Sequence, residues 1–207
     1  MKISMIISVL SSIALFNPVF GTPTPTPTPT PGVADDLEAV PSPMFWIGTP
    51  IPGGPEVRLN GTADEIVAQI REINPDWEGA PIPTSTSTID EDPTHVKRYF
   101  QHHPTCDLVA GGWARDAPLD PAIQILRILG SSLCGAPRRS CARAVCNQNS
   151  GIELCNDRET NVQISCDRLA GAAEKIRDQC NKWDGFVRIV KGQWFDTTGY
   201  NVVVRSC

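Results

Sequence analysis

The segment SCARAVCNQNSGIELC, residues 140–155, decides the fold expected for this chain. Two runs of strand length, 140–146 and 151–155, lie on either side of the polar residues 147–150. Runs of this kind joined by a short polar turn are typical of an antiparallel β-hairpin. We therefore predict such a hairpin at the centre of the cysteine-rich part of the sequence.

Helices are predicted on both sides of this hairpin. The first begins at Asp120-Pro121, a cap followed by proline at the first helical position, and ends at Gly130. The second is capped by Ser165 and continues to Cys180 with an apolar face. Further strands are predicted at 106–110, 186–190 and 200–204. The order is β-α-β-β-α-β, in which the closing element is one strand or a hairpin of 186–190 and 200–204. This order predicts an α+β fold: a disulfide-stapled split βαβ sandwich with two helices on one face of an antiparallel sheet.

This order restricts which cysteines can meet. We call the top of the sheet the end at which the first two strands finish, and we take the last two strands to run in the opposite direction. The second helix then brings Cys180 next to Cys146 at the top. A Cys166–Cys180 bond is excluded, because a helix of that length separates its ends by about 21 Å. A Cys141–Cys146 bond is disfavoured, because the strand between them spans about 16 Å. Six cysteines fall at the bottom of the sheet: Cys106, Cys134, Cys141, Cys155, Cys166 and Cys207.

The first 21 residues have the pattern of a secretory signal peptide. Lys2 precedes an apolar run from Ile3 to Phe16, and the small residue Gly21 marks the cleavage site. A membrane anchor is the alternative, but the run is too short for one, and no later run of about 18 apolar residues occurs. In an oxidising compartment the eight cysteines predict up to four disulfides rather than a zinc site, and their spacing matches no zinc finger. We expect a secreted protein.

Composition divides the rest of the chain near residue 98. Residues 22–98 contain 14 of the 19 prolines and carry 4 Lys/Arg against 12 Asp/Glu. Residues 99–207 contain all eight cysteines and carry 13 Lys/Arg against 11 Asp/Glu. We predict a Thr-Pro and acidic linker or pro-region at 22–98 and a cysteine-rich α+β domain at 99–207. Neither part has the basic excess of a nucleic-acid binder.

One short helix is predicted inside the acidic region, over residues 63–73. Thr62 and Glu65 form a capping box, and Asn74-Pro75 ends the helix. Asn60-Gly61-Thr62 is the one N-x-S/T sequon after the signal peptide, and it predicts N-glycosylation at Asn60. Its threonine would also serve as the helix cap.

The acidic region ends in Lys97-Arg98, a dibasic pair just before the cysteine-rich domain. Its position at the charge boundary predicts a kexin-type processing site, with two solvated charges as the alternative. Cleavage there would release a domain of about 109 residues, large enough to fold alone with four disulfides.

The run from Cys141 to Asp157 resembles a family of small secreted proteins of filamentous fungi. Its members read like C-x-R-V-x-C-x-x-N-S-x-I-x-x-C-N-D, and the likeness extends to segments 61–76, 164–180 and 192–205. The resemblance implies a candidate effector of a plant-associated fungus, in a family of largely unassigned biochemistry. Some members look loosely like killer-toxin or necrosis-inducing α/β sandwiches.

This sequence departs from the family pattern by adding Cys134 and Cys166. Two extra cysteines at the same end of the sandwich imply that they pair with each other. With Cys146–Cys180 already assigned, the remaining pairs we expect are Cys106–Cys207 and Cys141–Cys155.

The sequence favours a protein that is not an enzyme. No G-x-S-x-G, H-E-x-x-H or phosphate loop occurs. Paired carboxylates could serve a glycosidase, but helix capping and solvation explain the three nearest in sequence better: Asp157, Glu159 and Asp167. The histidines lie at or before the edge of the domain: His95, His102 and His103. The domain's tryptophans are spread out, which favours packing roles: Trp113, Trp183 and Trp194. We expect no catalysis, no cofactor and no metal.

The function expected is that of a monomeric secreted fungal effector that binds a host protein or surface component and modulates host immunity. It would bind no nucleic acid and would have no transmembrane segment. An antimicrobial killer-toxin-like protein is the first alternative. A cell-wall carbohydrate-active or carbohydrate-binding protein is the second.

Overall fold

The structure is a computed structural model that describes residues 41–80 and 103–207. The predicted signal peptide, the Thr-Pro repeats and the Lys97-Arg98 pair lie outside these residues. The described residues form three helices: α1 (Ala63–Ile73), α2 (Leu119–Leu129) and α3 (Cys166–Gln179). The strands are β1 (Ser42–Gly48), β2 (Val57–Gly61), β3 (Thr105–Cys106), β4 (Ala114–Arg115), β5 (Leu133–Ala136), β6 (Ser140–Asn147), β7 (Ser150–Asn156), β8 (Val162–Ser165), β9 (Asn181–Asp184), β10 (Val187–Val190), β11 (Gly192–Asp196) and β12 (Tyr200–Arg205).

The β6–β7 hairpin lies where the sequence predicts it. Its turn is tight, because Asn147 already pairs with Ser150. The two residues between them, Gln148 and Asn149, have φ values of 46° and 61°. Positive φ at both central residues is the geometry that two-residue hairpin loops favour, and asparagine tolerates it well.

The strands form a curled, mostly antiparallel sheet of nine strands and a separate sheet of three. In the large sheet the strand order is β3-β11-β12-β7-β6-β1-β5-β8. Strand β2 lies off this path and pairs with β1. The one parallel pairing joins Ser42 and Pro43 of β1 to β6. The small sheet has the order β4-β10-β9. The α+β class is therefore confirmed, but the four-stranded split βαβ arrangement is not.

The predicted helices are all present. The capping box of α1 is formed, with Thr62 N donating to Glu65 Oε2 at 2.7 Å and Glu65 N donating to Thr62 Oγ1 at 3.5 Å. Helices α2 and α3 pack against each other. An ion pair between Arg127 and Glu174 (2.5 Å) and another between Asp120 and Arg177 join their polar sides.

Several strand predictions are wrong. The predicted strand at 106–110 is limited to Thr105–Cys106, because Asp107 turns the chain with a φ of 69°. The strands predicted at 186–190 and 200–204 do not form a hairpin with each other: β10 belongs to the small sheet, and β12 pairs with β7 and β11. Seven strands of the described residues were not predicted from the sequence: β1, β2, β4, β5, β8, β9 and β11.

Strand β1 lies in the interior of the large sheet, between β2 and β5. Its apolar residues Met44, Phe45 and Trp46 are at most 1% exposed. The described residues before and after the gap at 81–102 belong to one compact unit. The predicted boundary at residue 98 therefore does not separate two independently folded parts among these residues.

Candidate functional site

All eight cysteines are paired in four disulfides, so their predicted participation is confirmed. The predicted pairs Cys134–Cys166 and Cys141–Cys155 are present. The predicted pairs Cys146–Cys180 and Cys106–Cys207 are wrong. The structure pairs Cys106 with Cys180 and Cys146 with Cys207 instead.

The direction of the last strand explains this exchange. The prediction assumed that the last two strands point the same way, whereas β12 runs antiparallel to β7. Arg205 of β12 and Cys146 of β6 are both register partners of Gly151, which brings Cys207 beside Cys146. At the other end, Cys106 pairs in register with Gly192, which packs against Cys180.

One group of metal-type side chains occurs among the described residues: Cys141, Glu153 and Cys155. Its two sulfurs are bonded to each other and are not thiolates, so they are not ligands for a metal ion. The Glu153 carboxylate is buried and forms an ion pair with Arg205 at 3.0 Å. This group is structural.

The carboxylates considered for catalysis are engaged in local contacts. Asp157 Oδ2 accepts a hydrogen bond from Asn201 Nδ2 at 3.1 Å. Glu159 lies 2.5 Å from Arg139, whose hydrogen bond and charge lower the pKa of this carboxyl group. Asp167 lies in the first turn of α3, where a negative charge is favourable. His103 Nδ1 lies 3.4 Å from Gln179 Oε1, and His95 and His102 lie outside the described residues.

A polar network that the sequence analysis did not anticipate joins α3 to the β11–β12 hairpin. Arg168 donates to Tyr200 Oη at 2.7 Å and to Asp196 Oδ2 at 2.6 Å. Burial alone would raise the pKa of Asp196, but hydrogen bonds from Thr198 and Arg168 outweigh it and lower that pKa. Burial raises the pKa of Tyr200 to about 12. A phenol with so high a pKa stays protonated at neutral pH, so we assign the network a structural role.

Three of the six exposed large apolar side chains of the described residues surround the turn between β9 and β10, and the others are Leu108, Ile51 and Ile73. Trp183 is 67% exposed, Phe186 99% and Val187 47%. The turn contains Gly185, whose φ of 62° suits a residue without a β-carbon. We call these three apolar side chains the hairpin tip. Large apolar surface that stays in contact with water marks a binding surface more often than a structural one.

Four basic residues lie on the strands and strand ends behind the hairpin tip. We call them the basic collar: Arg115, Lys182, Arg188 and Lys191. The Arg188 guanidinium lies 5.5 Å from the ring centroid of Trp183, and the Lys182 and Lys191 ammonium groups lie 3.6 and 5.1 Å from that of Trp113. Two carboxylates partly offset the collar, Asp116 at 3.6 Å from Arg188 and Asp107 at 3.9 Å from Lys182.

A cleft of about 590 Å³ opens beside the hairpin tip. Trp183, Phe186, Arg115 and Arg188 line it, together with Pro118 and Asn147. A second cavity, of about 610 Å³, lies between the β1–β2 loop and Trp77, and among the described residues that line it only Glu56 is charged. The cleft by the hairpin brings apolar and cationic groups together, so it has the chemistry of a binding site.

The sequon residue Asn60 is exposed on β2. Its backbone carbonyl accepts a hydrogen bond from Gln69 Nε2 at 3.0 Å. Thr62 of the same sequon caps α1, as the sequence predicts. Glycosylation at Asn60 stays a prediction.

Sequence reasoning missed the hairpin tip because it assigned the tryptophans to packing. Trp194 does pack against the core, and Trp113 is half-buried, but Trp183 is exposed. The available signal was the order Trp-Asp-Gly-Phe, in which large apolar residues flank a turn.

None of the helices in the described part of the chain is long and apolar enough to span a bilayer. Comparison of the sequence with models of protein families gives no match, and comparison with curated proteins and with solved structures gives none either.

Proposed function

We propose that the protein is a secreted effector of a filamentous fungus that acts by binding a host component through the hairpin tip. One observation carries the proposal: Phe186 and Trp183 are exposed at a turn, with the basic collar behind them. Because burying a side chain of this size is favourable by about 1.5–3 kcal/mol, leaving both in water favours a partner that covers them. The fungal family that residues 141–157 resemble supports the host-directed part of the proposal.

Catalysis is not part of this proposal. The carboxylates that a glycosidase would use are engaged elsewhere, Glu159 with Arg139 and Asp157 with Asn201. The buried Tyr200 is held by Arg168, and its raised pKa does not suit proton transfer at neutral pH.

Infiltration of purified protein into leaf tissue tests the proposal. The protein used is the chain from Thr22 onward, which contains the whole compact unit Ala39–Cys207. We expect necrosis or suppressed defence with this chain, and loss of that response in the double variant Trp183→Ser, Phe186→Ser. The control is Ile51→Ser, which removes an apolar side chain that is 47% exposed on the β1–β2 loop.

Circular dichroism and non-reducing peptide mapping would establish that both variants keep the fold and the four disulfides. A response of equal strength in the double variant would contradict the proposal. So would the absence of any response in tissue from several host species.

The basic collar favours one second candidate, an antimicrobial protein. Basic residues beside exposed aromatic side chains suit the anionic surfaces of competing microbes. Growth inhibition of other fungi by the purified chain, without any response in leaf tissue, would favour this function over the first.

A further inference from the structure

We propose that the partner of the hairpin tip is an anionic phospholipid membrane. Phe186 and Trp183 would enter the interfacial region of the bilayer, and the basic collar would face the lipid phosphates. This inference rests on the proposed function, because it takes the hairpin tip as the binding surface.

The shape of the hairpin supports a membrane rather than a pocket in another protein. Phe186 is 99% exposed, so it projects from the turn with almost no contact to the rest of the described chain. Trp183 lies one strand position behind the turn and pairs in register with Arg188. The hairpin thus has three levels: Phe186 at the tip, the amphipathic indole of Trp183 behind it, and the basic collar behind both. These levels match the acyl chains, the interface and the headgroups of a bilayer.

The basic collar supplies the charge complementarity. Lys182 and Arg188 each have one carboxylate partner, at 3.9 and 3.6 Å, and Asp184 is the last residue of β9, directly before the turn. Arg115 and Lys191 form no ion pair with any residue in the parts of the chain that the structure describes. A basic residue near an anionic bilayer strengthens binding about fivefold.

Two residues of the basic collar line the cleft beside the hairpin tip. Arg115, Arg188 and Asp116 line it together with Trp183 and Phe186, and the Arg188 guanidinium lies 5.5 Å from the ring centroid of Trp183. When the tip enters the interface, this cleft comes to the level of the headgroups. Guanidinium groups bind phosphate oxygens with two parallel hydrogen bonds, which suits a phosphodiester headgroup.

The hairpin is fixed to the core, so little conformational freedom is lost on docking. The Cys106–Cys180 disulfide lies directly before β9, and Val190 at the far end of β10 is fully buried. Strand β10 also pairs with β4. A binding element held in its bound geometry loses less entropy when it meets its partner.

Vesicle sedimentation tests the inference, with the chain from Thr22 onward. Vesicles are made of phosphatidylcholine alone or of phosphatidylcholine mixed with phosphatidylserine. We expect binding to the anionic vesicles, weakening as salt is raised. Trp183→Ser with Phe186→Ser should lower the partition coefficient at least about tenfold, and Arg188→Gln about fivefold. The control Ile51→Ser should bind like the wild type.

Fluorescence quenching locates the inserted residue. Brominated lipids should quench part of the tryptophan emission in the anionic vesicles, and Trp183→Phe should abolish that quenching while keeping most of the binding. Binding that survives loss of Trp183 and Phe186, or quenching that survives Trp183→Phe, would overturn the inference.

The two proposals fail in different ways. If no vesicle binds the chain but the hairpin variant still loses the leaf response, the membrane inference is overturned and a host protein is the partner. If the vesicles bind as expected but the hairpin variant keeps the leaf response, the proposed function is overturned and the membrane inference is supported.

Discussion

Single residues decide how the β11–β12 hairpin is held against α3. Arg168 reaches across from the first turn of the helix to Tyr200 and Asp196, whose side chain is fully buried. Removing Arg168 takes a charged partner away from the buried Asp196 and a donor from Tyr200, which costs more than the hydrogen bonds themselves contribute. The network therefore fixes the position of the hairpin in a way that apolar packing alone would not.

Tyr200 gives this network a measurable pH dependence. Its pKa is raised to about 12 from an ordinary value of 10, so the folded state favours the neutral phenol. The stability this provides is fully present below about pH 10 and is lost as pH rises towards about 12. The chain has two tyrosines, so a Tyr99→Phe background leaves Tyr200 as the sole source of tyrosinate absorbance.

We expect that absorbance to rise with a midpoint near 12, together with a fall in the free energy of unfolding. Tyr200→Phe in the same background should remove this alkaline loss of stability. An ionisation midpoint near 10 would show that the phenol is not held as described.

Two glycines, Gly192 and Gly171, differ in how closely other side chains approach them. A β-carbon on Gly192 would lie 2.8 Å from Cys180 Sγ and 2.9 Å from Ile176 Cγ2, whereas one on Gly171 in α3 meets nothing within 4 Å. We expect Gly192→Ala to lower the free energy of unfolding by about 1–3 kcal/mol. Gly171→Ala should raise it by about 0.5–1 kcal/mol, because alanine is the better helix former. Urea denaturation measures both, and equal effects of the two changes would refute the close contact at Gly192.

At the scale of elements, α1 and β2 are joined by a residue with two roles. Thr62 caps α1 and is also the third residue of the Asn60 sequon. Thr62→Ala should therefore lower stability by about 1 kcal/mol and also prevent N-glycosylation. Thr62→Ser should keep both properties, and Asn60→Gln should remove only the sequon.

Thermal unfolding of the three variants, made in a glycosylating host and in bacteria, separates the cap from the glycan. Equal stability of Thr62→Ala and Asn60→Gln in the bacterial protein would mean that the cap contributes nothing.

At the scale of the whole molecule, residues 41–80 are bound to the cysteine-rich part without a covalent crosslink. All four disulfides join residues within 106–207, whereas Met44, Phe45 and Trp46 are buried in the shared sheet. The sequence predicted that residues 99–207 would fold alone after cleavage. The structure instead makes β1 an inner strand of the sheet that both parts share, so we expect the cysteine-rich part to depend on it.

If the predicted cleavage after Arg98 takes place, we expect the two pieces to remain together. They should co-elute in gel filtration under native conditions and separate in denaturant without any reductant. A chain that begins at Tyr99 should fail to fold. The loss of Phe45 and the loss of Trp46 would each lower the free energy of unfolding by about 3–5 kcal/mol. Separation of the pieces under native conditions would contradict this prediction.

The sequence by itself determined the parts of the fold that contiguous residues encode. The caps at Thr62 and Ser165 and the apolar faces of the three helices depend on spacings of three or four residues. The β6–β7 hairpin depends on a turn of two residues. These features are visible in one sequence because the interacting groups are close along the chain.

Tertiary structure decided the features that depend on which distant segments meet. The antiparallel direction of β12 exchanged the partners of Cys146 and Cys106. Strand β1 contains Pro43, so it resembles a linker until β2 and β5 pair with its two edges. The exposure of Trp183 was equally hidden, because an apolar residue is buried or exposed according to neighbours that are far away in sequence.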